Sequence, residues 1–469
     1  MIKFFRNGKK TKKEHKNLMK KIVIQGIGYV GLAMLTFCAG AKKNNKFLYD
    51  VVGVERKSQK GKKIIKEIES KKIPKIVDDK KFHIFYLNLQ KEKKIKVNND
   101  TNEYKDADII FVCSNCDYDF KKNKVDLNSY LKNIKDISKK IKKDCLIVIQ
   151  TTLPPGTTQK IIKPLIIKCL KKRGLKNFYL SHSFERITPG KDYFISMKKT
   201  QRIIGGICRT SSIKTAKVFK DIFELSDDKI TIFNSPSESE TCKIIENSYR
   251  ATNIAFIEEW RKFCASSNLD LEMILSCIRK RKTHNNIMYS GIGVGGYCLT
   301  KDPLFGLAST KQVLNQKLEF PLSVAAVNVN RKMSHDIMSE IKKKFNGLLT
   351  KKKVLLIGVS YRQDTNDTRH SPAENVFDFL KKMKCKVSFF DPNVGYWDYI
   401  KKKTVSKNEI KNFKVFIYLT KHKIFKDLKI GFKKNSVILD LNHVLDKKEK
   451  KRILLNENLK SYFVGSKLI

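Results

Sequence analysis

Near its start the chain runs Ile22-Val23-Ile24, Gly26-Ile27-Gly28-Tyr29-Val30-Gly31, Leu32-Ala33-Met34-Leu35: strand formers, a glycine turn and a helix start in immediate succession. The β-branched run favours a pleated, buried backbone. The G-x-G-x-x-G spacing then supplies a tight turn, close approach to a pyrophosphate, and tight packing of helix on strand. A helix beginning there points free amides and the positive end of its dipole at phosphate. After the basic start, Ile22 to Ala41 resembles a secretory signal in composition, but Gly26, Gly28 and Gly31 interrupt the apolar run, and the dinucleotide turn explains them. A second strand, Tyr49 to Val54, ends at Glu55, 24 residues past the last glycine, where a carboxylate can accept from ribose hydroxyls. An acid at that place favours NAD over NADP.

Further apolar runs at Ile109 to Val112, Cys145 to Ile149, Phe178 to Leu180 and Arg202 to Ile204 read as buried strands of one sheet, with lysine-rich helices between them. Such alternation makes a doubly wound sheet, whose ligands bind outside the carboxyl ends of the strands. The residues at those ends are polar or turn-forming: Ser114-Asn115, Thr151 to Thr158, and His182 to Arg186. A long helix, roughly 238–267, carries Lys243, Asn247, Arg250 and Phe256 at helix-like intervals. A second α/β unit begins near Lys353 with the strand Val354 to Gly358, a helix Glu374 to Lys384, and the strand Lys386 to Phe390 closing on Asp391-Pro392. The chain therefore reads as α/β, with two Rossmann-like doubly wound domains joined by a central helical domain with a long helix. The expected boundaries are a basic extension over 1–20, a dinucleotide-binding domain over 21–235, the helical domain over 236–340, and a second nucleotide-binding domain over 341–469.

Where the two lobes meet, the central segment would place Gly293-Val294-Gly295-Gly296-Tyr297-Cys298-Leu299-Thr300, followed by Lys301-Asp302-Pro303. Gly293, Gly295 and Gly296 could lay Cys298 open to a substrate, and the nearby ammonium would favour its nucleophilic thiolate. A cysteine in a glycine turn is by itself more often a small buried hydrophobe; the flanking nucleotide folds favour covalent chemistry.

Composition removes several alternatives. The chain has 98 Lys+Arg against 46 Asp+Glu, formally +52, but the lysines are spread in pairs and triplets with no aromatic-interleaved block, so no nucleic-acid partner is expected. A positive field does speed the arrival of anionic nucleotides. Eleven cysteines without a framework fit reduced thiols in the cytoplasm. Cys113-Ser114-Asn115-Cys116 is the one CxxC and has no second pair at zinc-site spacing, so no metal is expected. No stretch reaches the ~18 uncharged apolar residues of a membrane span, so no membrane partner is expected.

Six ordered blocks together resemble the nucleotide-sugar 6-dehydrogenases, the UDP-glucose/GDP-mannose dehydrogenase family, over about residues 20–465. They are the glycine turn through Leu32; Thr151-Thr152-x-Pro154-Pro155-Gly156-Thr157-Thr158; Glu185-Arg186-x-x-Pro189-Gly190; Lys243 with Glu246-Asn247-x-x-Arg250; the cysteine turn; and Asp364-Thr365-x-Asp367-x-Arg369-x-Ser371-Pro372-Ala373. The resemblance implies oxidation of the C6 alcohol of a UDP-sugar to a carboxylate with two NAD in succession, through a thiohemiacetal and a thioester on Cys298. It implies that Lys243 and Asp302 handle protons, that Asn247 supports the oxyanion, and that Thr152 and Glu185 order the hydrolytic water. Gly26, Gly28, Tyr29, Val30, Gly31, Glu55 and Thr152 would bind NAD. Glu185, Arg186, Lys243, Asn247, Arg250, Gly293, Gly295, Tyr361, Arg362 and Arg369 would bind the UDP-sugar. Relatives usually carry lysine in place of Arg362, Val-Pro-Thr-Pro in place of residues 113–116, proline in place of Phe184, and His or Ser in place of Tyr297. The Glu185 and Glu246–Phe256 blocks resemble the UDP-N-acetylhexosamine branch (N-acetylglucosamine or N-acetylmannosamine), whereas Cys298-x-x-Lys301-Asp302 resembles the UDP-glucose branch; an inactive nucleotide-sugar-binding relative is the further alternative. The family also implies a cytoplasmic enzyme of surface-polysaccharide synthesis that forms a homodimer or larger oligomer through the central helix.

Overall fold

The apolar run ahead of the glycine turn forms strand β1 (Lys20–Gln25), followed by helix α1 (Tyr29–Gly40) and β2 (Tyr49–Val54), which pairs with β1 in parallel. The computed structural model describes residues 19–466 except 71–76, 78 and 429; the expected N-terminal extension lies outside the described residues but for its last two, and Lys20 already belongs to β1. Six more strands complete the first sheet: β3 (Lys96–Asn98), β4 (Ile109–Val112), β5 (Leu146–Ile149), β6 (Tyr179–His182), β7 (Arg202–Gly206) and β8 (Ile230–Phe233). Their order is β3-β2-β1-β4-β5-β6-β7-β8, with β7 antiparallel to β6. The succession reverses between β1 and β4, which opens a crevice at their carboxyl ends. Leu32, Met34, Phe111, Val148 and Phe219 fill one face of the sheet, and Val23, Ile110, Tyr130, Ile147 and Ile149 fill the other. Burial on both faces is why these strands read as unbroken apolar runs.

The second sheet holds β9 (Lys353–Ile357), β10 (Lys386–Phe390), β11 (Val415–Tyr418), β12 (Ser436–Asp440) and β13 (Leu459–Phe463), all parallel, in the order β10-β9-β11-β12-β13. It is also doubly wound, with its switch point between β9 and β11.

Two long helices join the lobes, α2 (Pro236–Ser266) and α3 (Pro321–Leu349). Ser235 starts α2 by accepting the Glu238 N–H on its side chain, and Pro236 takes the first helical position, where no N–H is needed. Small residues, Ala251, Ala255 and Ala326, let α2 and α3 approach, and Asn330 Nδ2 donates to the Ala251 carbonyl at 2.9 Å. The buried Arg261 forks between Glu258 of its own helix and Glu340 of α3, with contacts of 2.8–2.9 Å. Helix α3 runs past the boundary expected at 340: Ile341, Phe345 and Leu349 belong to the second lobe's core beside Val354 and Leu356. This segment, kinked at Phe345, thus serves both domains. Among the described residues no helix is long and apolar enough to cross a membrane.

Candidate active site

The glycine turn builds a cradle at the first switch point. Gly26 adopts φ +85°, and a Cβ on Gly31 would lie 1.8 Å from the Gly26 carbonyl oxygen, so helix and turn meet only through a glycine. A Cβ on Gly28 would meet nothing within 4 Å, which leaves that side open to a ligand. Helix α1 has neither a side-chain cap nor an acid in its first turn, so its leading amides are available to phosphate. Glu55 accepts the Ile27 N–H at 2.7 Å and the Arg56 N–H at 3.0 Å, which fixes its carboxylate beside the turn with lone pairs left for ribose. Val30 packs against the core, and Tyr29 sets its ring edge-on to Tyr193 at 4.8 Å with its hydroxyl buried and unpartnered. These residues fit a dinucleotide.

Cys298 is reachable from the cleft, and its carbonyl accepts the N–H groups of Lys301 at 3.1 Å and Asp302 at 2.9 Å, closing a tight turn. Asp302 is buried with each oxygen held, Oδ1 by Lys301 Nζ and Oδ2 by Asn247 Nδ2, both at 2.8 Å. The Lys301 ammonium also lies 4.4 Å from the ring centres of Tyr297 and Phe305. Lys243, one helical turn before Asn247, donates to the Glu185 carbonyl at 3.1 Å and sits over the Phe184 ring. The expectation of a thiolate favoured by the neighbouring ammonium is reversed. Although Cys298 is exposed as a residue, the surrounding protein desolvates its thiol and raises its pKa; Asp302 adds to the rise, and Lys243, Lys301 and Arg369 oppose it without prevailing. Lys301 is engaged by Asp302, whose negative charge acts on the thiol in the opposite sense.

Glu185 follows β6 and is buried. Its Oε1 pairs with Arg202 Nη1 and accepts from Gln150 Nε2 at 3.3 Å, while Oε2 has no partner. Arg202, 1% exposed, also donates to the Met197 carbonyl and lies 4.1 Å from the Phe223 ring centre. Thr152 is half-buried in the strand-end loop, next to Thr151, whose hydroxyl donates to the Ser114 carbonyl at 2.6 Å. Burial pushes the His182 pKa down to about 4, so the ring that meets the Thr151 carbonyl at 3.1 Å is neutral. Arg186 pairs with Glu246 of α2 and, like Lys243, lies over Phe184, which gives the departure at 184 a physical role as a shared ring platform. Arg250 and Phe256 are exposed on α2.

The second lobe reaches this site through its 361–372 segment. A Cβ on Gly295 would lie 2.6 Å from Tyr361 Cβ and 2.8 Å from the His370 carbonyl oxygen; one on Gly296, at φ +81°, would lie 2.7 Å from the Tyr361 ring. These glycines are needed chiefly for contact between lobes, where the sequence suggested an opening for ligand. Gly293 approaches Ser334 of α3 and Pro372. Arg362 and Arg369 are exposed, and Arg369 is already bidentate with Asp367, at 2.9 and 2.6 Å. Tyr297 donates to Asp117, so the departures at 297 and in the loop after β4 meet one another. Cys113 and Cys116 are buried, and burial raises both thiols, Cys116 up to about 12.

Sequence reasoning passed over Glu240. This fully buried carboxylate accepts from the Gly156 N–H at 2.6 Å, the Thr158 N–H at 2.8 Å and the Thr158 hydroxyl at 2.7 Å, which binds the loop carrying Thr152 to α2. Burial pushes it up to about 8 against the pull of those donors. The available signal was an acid on the buried stripe 240, 244, 247 of the helix. Arg202 was missed as a polar group because it sits inside a strand.

Three family models cover the chain: the UDP-glucose/GDP-mannose dehydrogenase family NAD binding domain over residues 20–224, its central domain over 237–332, and its UDP binding domain over 355–447. The UDP-N-acetyl-D-mannosamine dehydrogenase of Methanococcus vannielii is 32% identical over 95% of this chain and 99% of its own length. The UDP-glucose 6-dehydrogenase of Rickettsia prowazekii is 26% identical over 78% of this chain and 84% of its own. The solved structure of the UDP-D-ManNAc dehydrogenase from Pyrococcus horikoshii shares the fold, with a TM-score of 0.77 at 23% identity, covering 95% of this chain and 99% of that one.

Proposed function

The chain belongs to the UDP-glucose/GDP-mannose dehydrogenase family, and we propose that within it this protein oxidises UDP-N-acetyl-D-mannosamine at C6 to the uronic acid, using NAD. The observation that carries this reading is the position of one accessible thiol, with Lys243, Asn247 and Asp302 around it, at the junction of the NAD and UDP lobes. The choice of N-acetylmannosamine, which narrows the two hexosamines suggested by the sequence, is supported by the relatives that match over nearly the whole chain.

Two NAD, held one after the other at the glycine turn, would supply the hydride acceptors for the two oxidations. The chain's groups manage the protons and the carbon intermediates. Lys243 and Asp302 handle the alcohol proton, and Asn247 supports the oxygen charge as the aldehyde forms. The Cys298 sulfur then bonds to the aldehyde carbon, its proton passing to the same polar cluster; the raised thiol pKa makes that transfer part of the step. Loss of a second hydride and a proton turns the thiohemiacetal into a thioester. Water, ordered by Thr152 and the unpartnered oxygen of Glu185, cleaves the thioester to the carboxylate and restores the thiol. Arg362 and Arg369 grip the diphosphate, for which Arg369 exchanges its pairing with Asp367.

Helix α2 also exposes Ile245, Tyr249, Phe256, Trp260 and Phe263, beside an apolar pocket of about 660 Å³ against the helix Leu271–Ile278. An apolar surface of this kind supports a homodimer formed through the central helices. The proposed setting is the cytoplasm, where the product would feed surface-polysaccharide synthesis. UDP-glucose is the second reading, favoured by the Cys298-x-x-Lys301-Asp302 motif, which resembles that branch.

The test is NADH formation by purified protein with NAD and, separately, UDP-N-acetylmannosamine, UDP-N-acetylglucosamine and UDP-glucose. Turnover with the first and little with the others supports the assignment. Preference for UDP-glucose replaces it, and no NADH with any donor despite nucleotide binding returns the chain to an inactive binding protein.

A further inference from the structure

At the carboxyl ends of β9 and β11, where the second sheet reverses its strand order, a buried polar network fixes the loop that leads to Tyr361 and Arg362. At its centre the side chain of His422 is fully buried. The Asp364 N–H and Asn393 Nδ2 lie on its Nδ1 at 3.0 and 3.1 Å, so that nitrogen is an acceptor. The proton is therefore on Nε2, which faces Asp391 Oδ2 at 3.2 Å and Ser360 Oγ at 3.3 Å. These partners select one neutral tautomer.

Asp391, at the end of β10, draws the same loop inward: its Oδ2 accepts the Val359 N–H at 2.7 Å and the Ser360 N–H at 3.1 Å. Thr420 donates to the Ser360 carbonyl at 2.5 Å, and a Cβ on Gly358 would lie 2.6 Å from the Thr420 carbonyl oxygen, so the two strand ends are locked together. Asp364 stands in the left-handed region at φ +54°, an uncommon conformation for a residue with a side chain. It is held on both sides, by His422 at its N–H and by the Lys423 N–H at its Oδ1, 2.9 Å away. Its carbonyl oxygen faces Gly190 of the first lobe, and Tyr361, three residues earlier, covers Gly295 and Gly296 of the cysteine turn. Such fixing of a loop in a conformation it would not adopt alone is how a rigid scaffold presents binding side chains.

We propose that His422 is the positioning residue of the UDP-gripping loop: by accepting the Asp364 N–H and donating to Asp391, it sets how Tyr361 and Arg362 meet the uridine diphosphate. It rests on the second lobe being the UDP site. His422 itself does not enter the chemistry, so its effect falls on nucleotide affinity on one side of the enzyme only.

The experiment is titration calorimetry of the full chain with UDP alone and, separately, with NAD, for the parent, His422→Leu and His422→Asn, with melting temperatures alongside. The leucine variant loses both hydrogen-bonding nitrogens and is expected to bind UDP roughly tenfold more weakly while NAD affinity stays within about twofold. The asparagine variant can place its Oδ1 near the Nδ1 position, accept the Asp364 N–H, and recover most of the UDP affinity. UDP binding within about twofold of the parent in the leucine variant would overturn the proposal. So would parallel losses of UDP and NAD affinity with a lowered melting temperature, which would reduce His422 to general stability, or an asparagine variant no better than leucine. If the leucine variant fails to fold, His422→Gln takes its place, since its amide reaches the Nε2 position and leaves the Asp364 N–H without its acceptor: a loss of UDP affinity with NAD binding kept supports the acceptor role, and unchanged UDP binding overturns it. A parent protein that binds no UDP would bring down the reading of the lobe together with this inference, an outcome distinct from the others.

Discussion

Around the first lobe's switch point the carboxylates are already engaged: Glu55 with the amides of Ile27 and Arg56, Glu185 with Arg202, and Glu240 with the 156–158 loop. Around the second lobe's, Arg362 is exposed and Arg369 holds Asp367 at the surface. The first site is a preformed cradle of backbone and buried pairs; in the second the buried His422–Asp391 network fixes the loop, but its arginines stay outside and Arg369 must exchange a surface ion pair for phosphate when its nucleotide arrives. An exposed pair contributes at most about 1 kcal/mol and is screened by salt, so that exchange costs little and depends on ionic strength. NAD affinity should therefore respond to backbone fit, and UDP affinity to charge.

The thiol between the lobes is where the largest effect is expected. Cys298→Ala should lower steady NADH formation about 10,000-fold or more while both nucleotides still bind; substantial residual turnover would remove the covalent route. Next comes Gly31→Ala. Its Cβ would lie 1.8 Å from the Gly26 carbonyl oxygen, and NAD affinity by titration should fall about 100-fold with UDP binding nearly unchanged. Equal losses at both sites would erase the contrast between the lobes. Asp367→Asn frees Arg369 and should tighten UDP binding about threefold at low salt, the gain shrinking as salt is raised; a salt-independent change would show that the pair is more than a surface contact.

The smallest effect concerns the thiol's titration. Because its pKa is raised, the thiolate is scarcer at neutral pH than for an ordinary cysteine and appears only as pH climbs. Alkylation at Cys298 by iodoacetamide, followed at that residue by peptide mass spectrometry because Cys208 and Cys277 are also exposed, should thus keep accelerating beyond about pH 9, and Asp302→Asn, which removes a charge that raises the thiol, should shift the curve to lower pH. A plateau near neutrality would contradict the burial argument.

The first lobe was the more legible because its signals are local. Strand, glycine turn and acid follow one another within β1, α1 and β2, and the strand Ile109–Val112 coincides with the apolar run that announces it. In the second lobe β9 and β10 were evident, but β11 to β13 lie among lysine-rich loops with weaker punctuation and were not assigned. The core of the site could be named from its motifs, yet not its support. Glu240, Arg202 and His422 act through partners distant in sequence, and nothing in their immediate neighbours reveals the contact. The same is true of Tyr361 on Gly296, which changes the reason for the glycine from an opening for ligand to contact between lobes.

The most direct measurement is the stoichiometry of NADH released when a limiting amount of UDP-N-acetylmannosamine is consumed to completion with excess NAD. A thiol that captures the aldehyde and carries it through a thioester predicts two NADH for each sugar and no accumulated aldehyde. One NADH for each sugar, with free aldehyde in solution, would contradict the account at its centre.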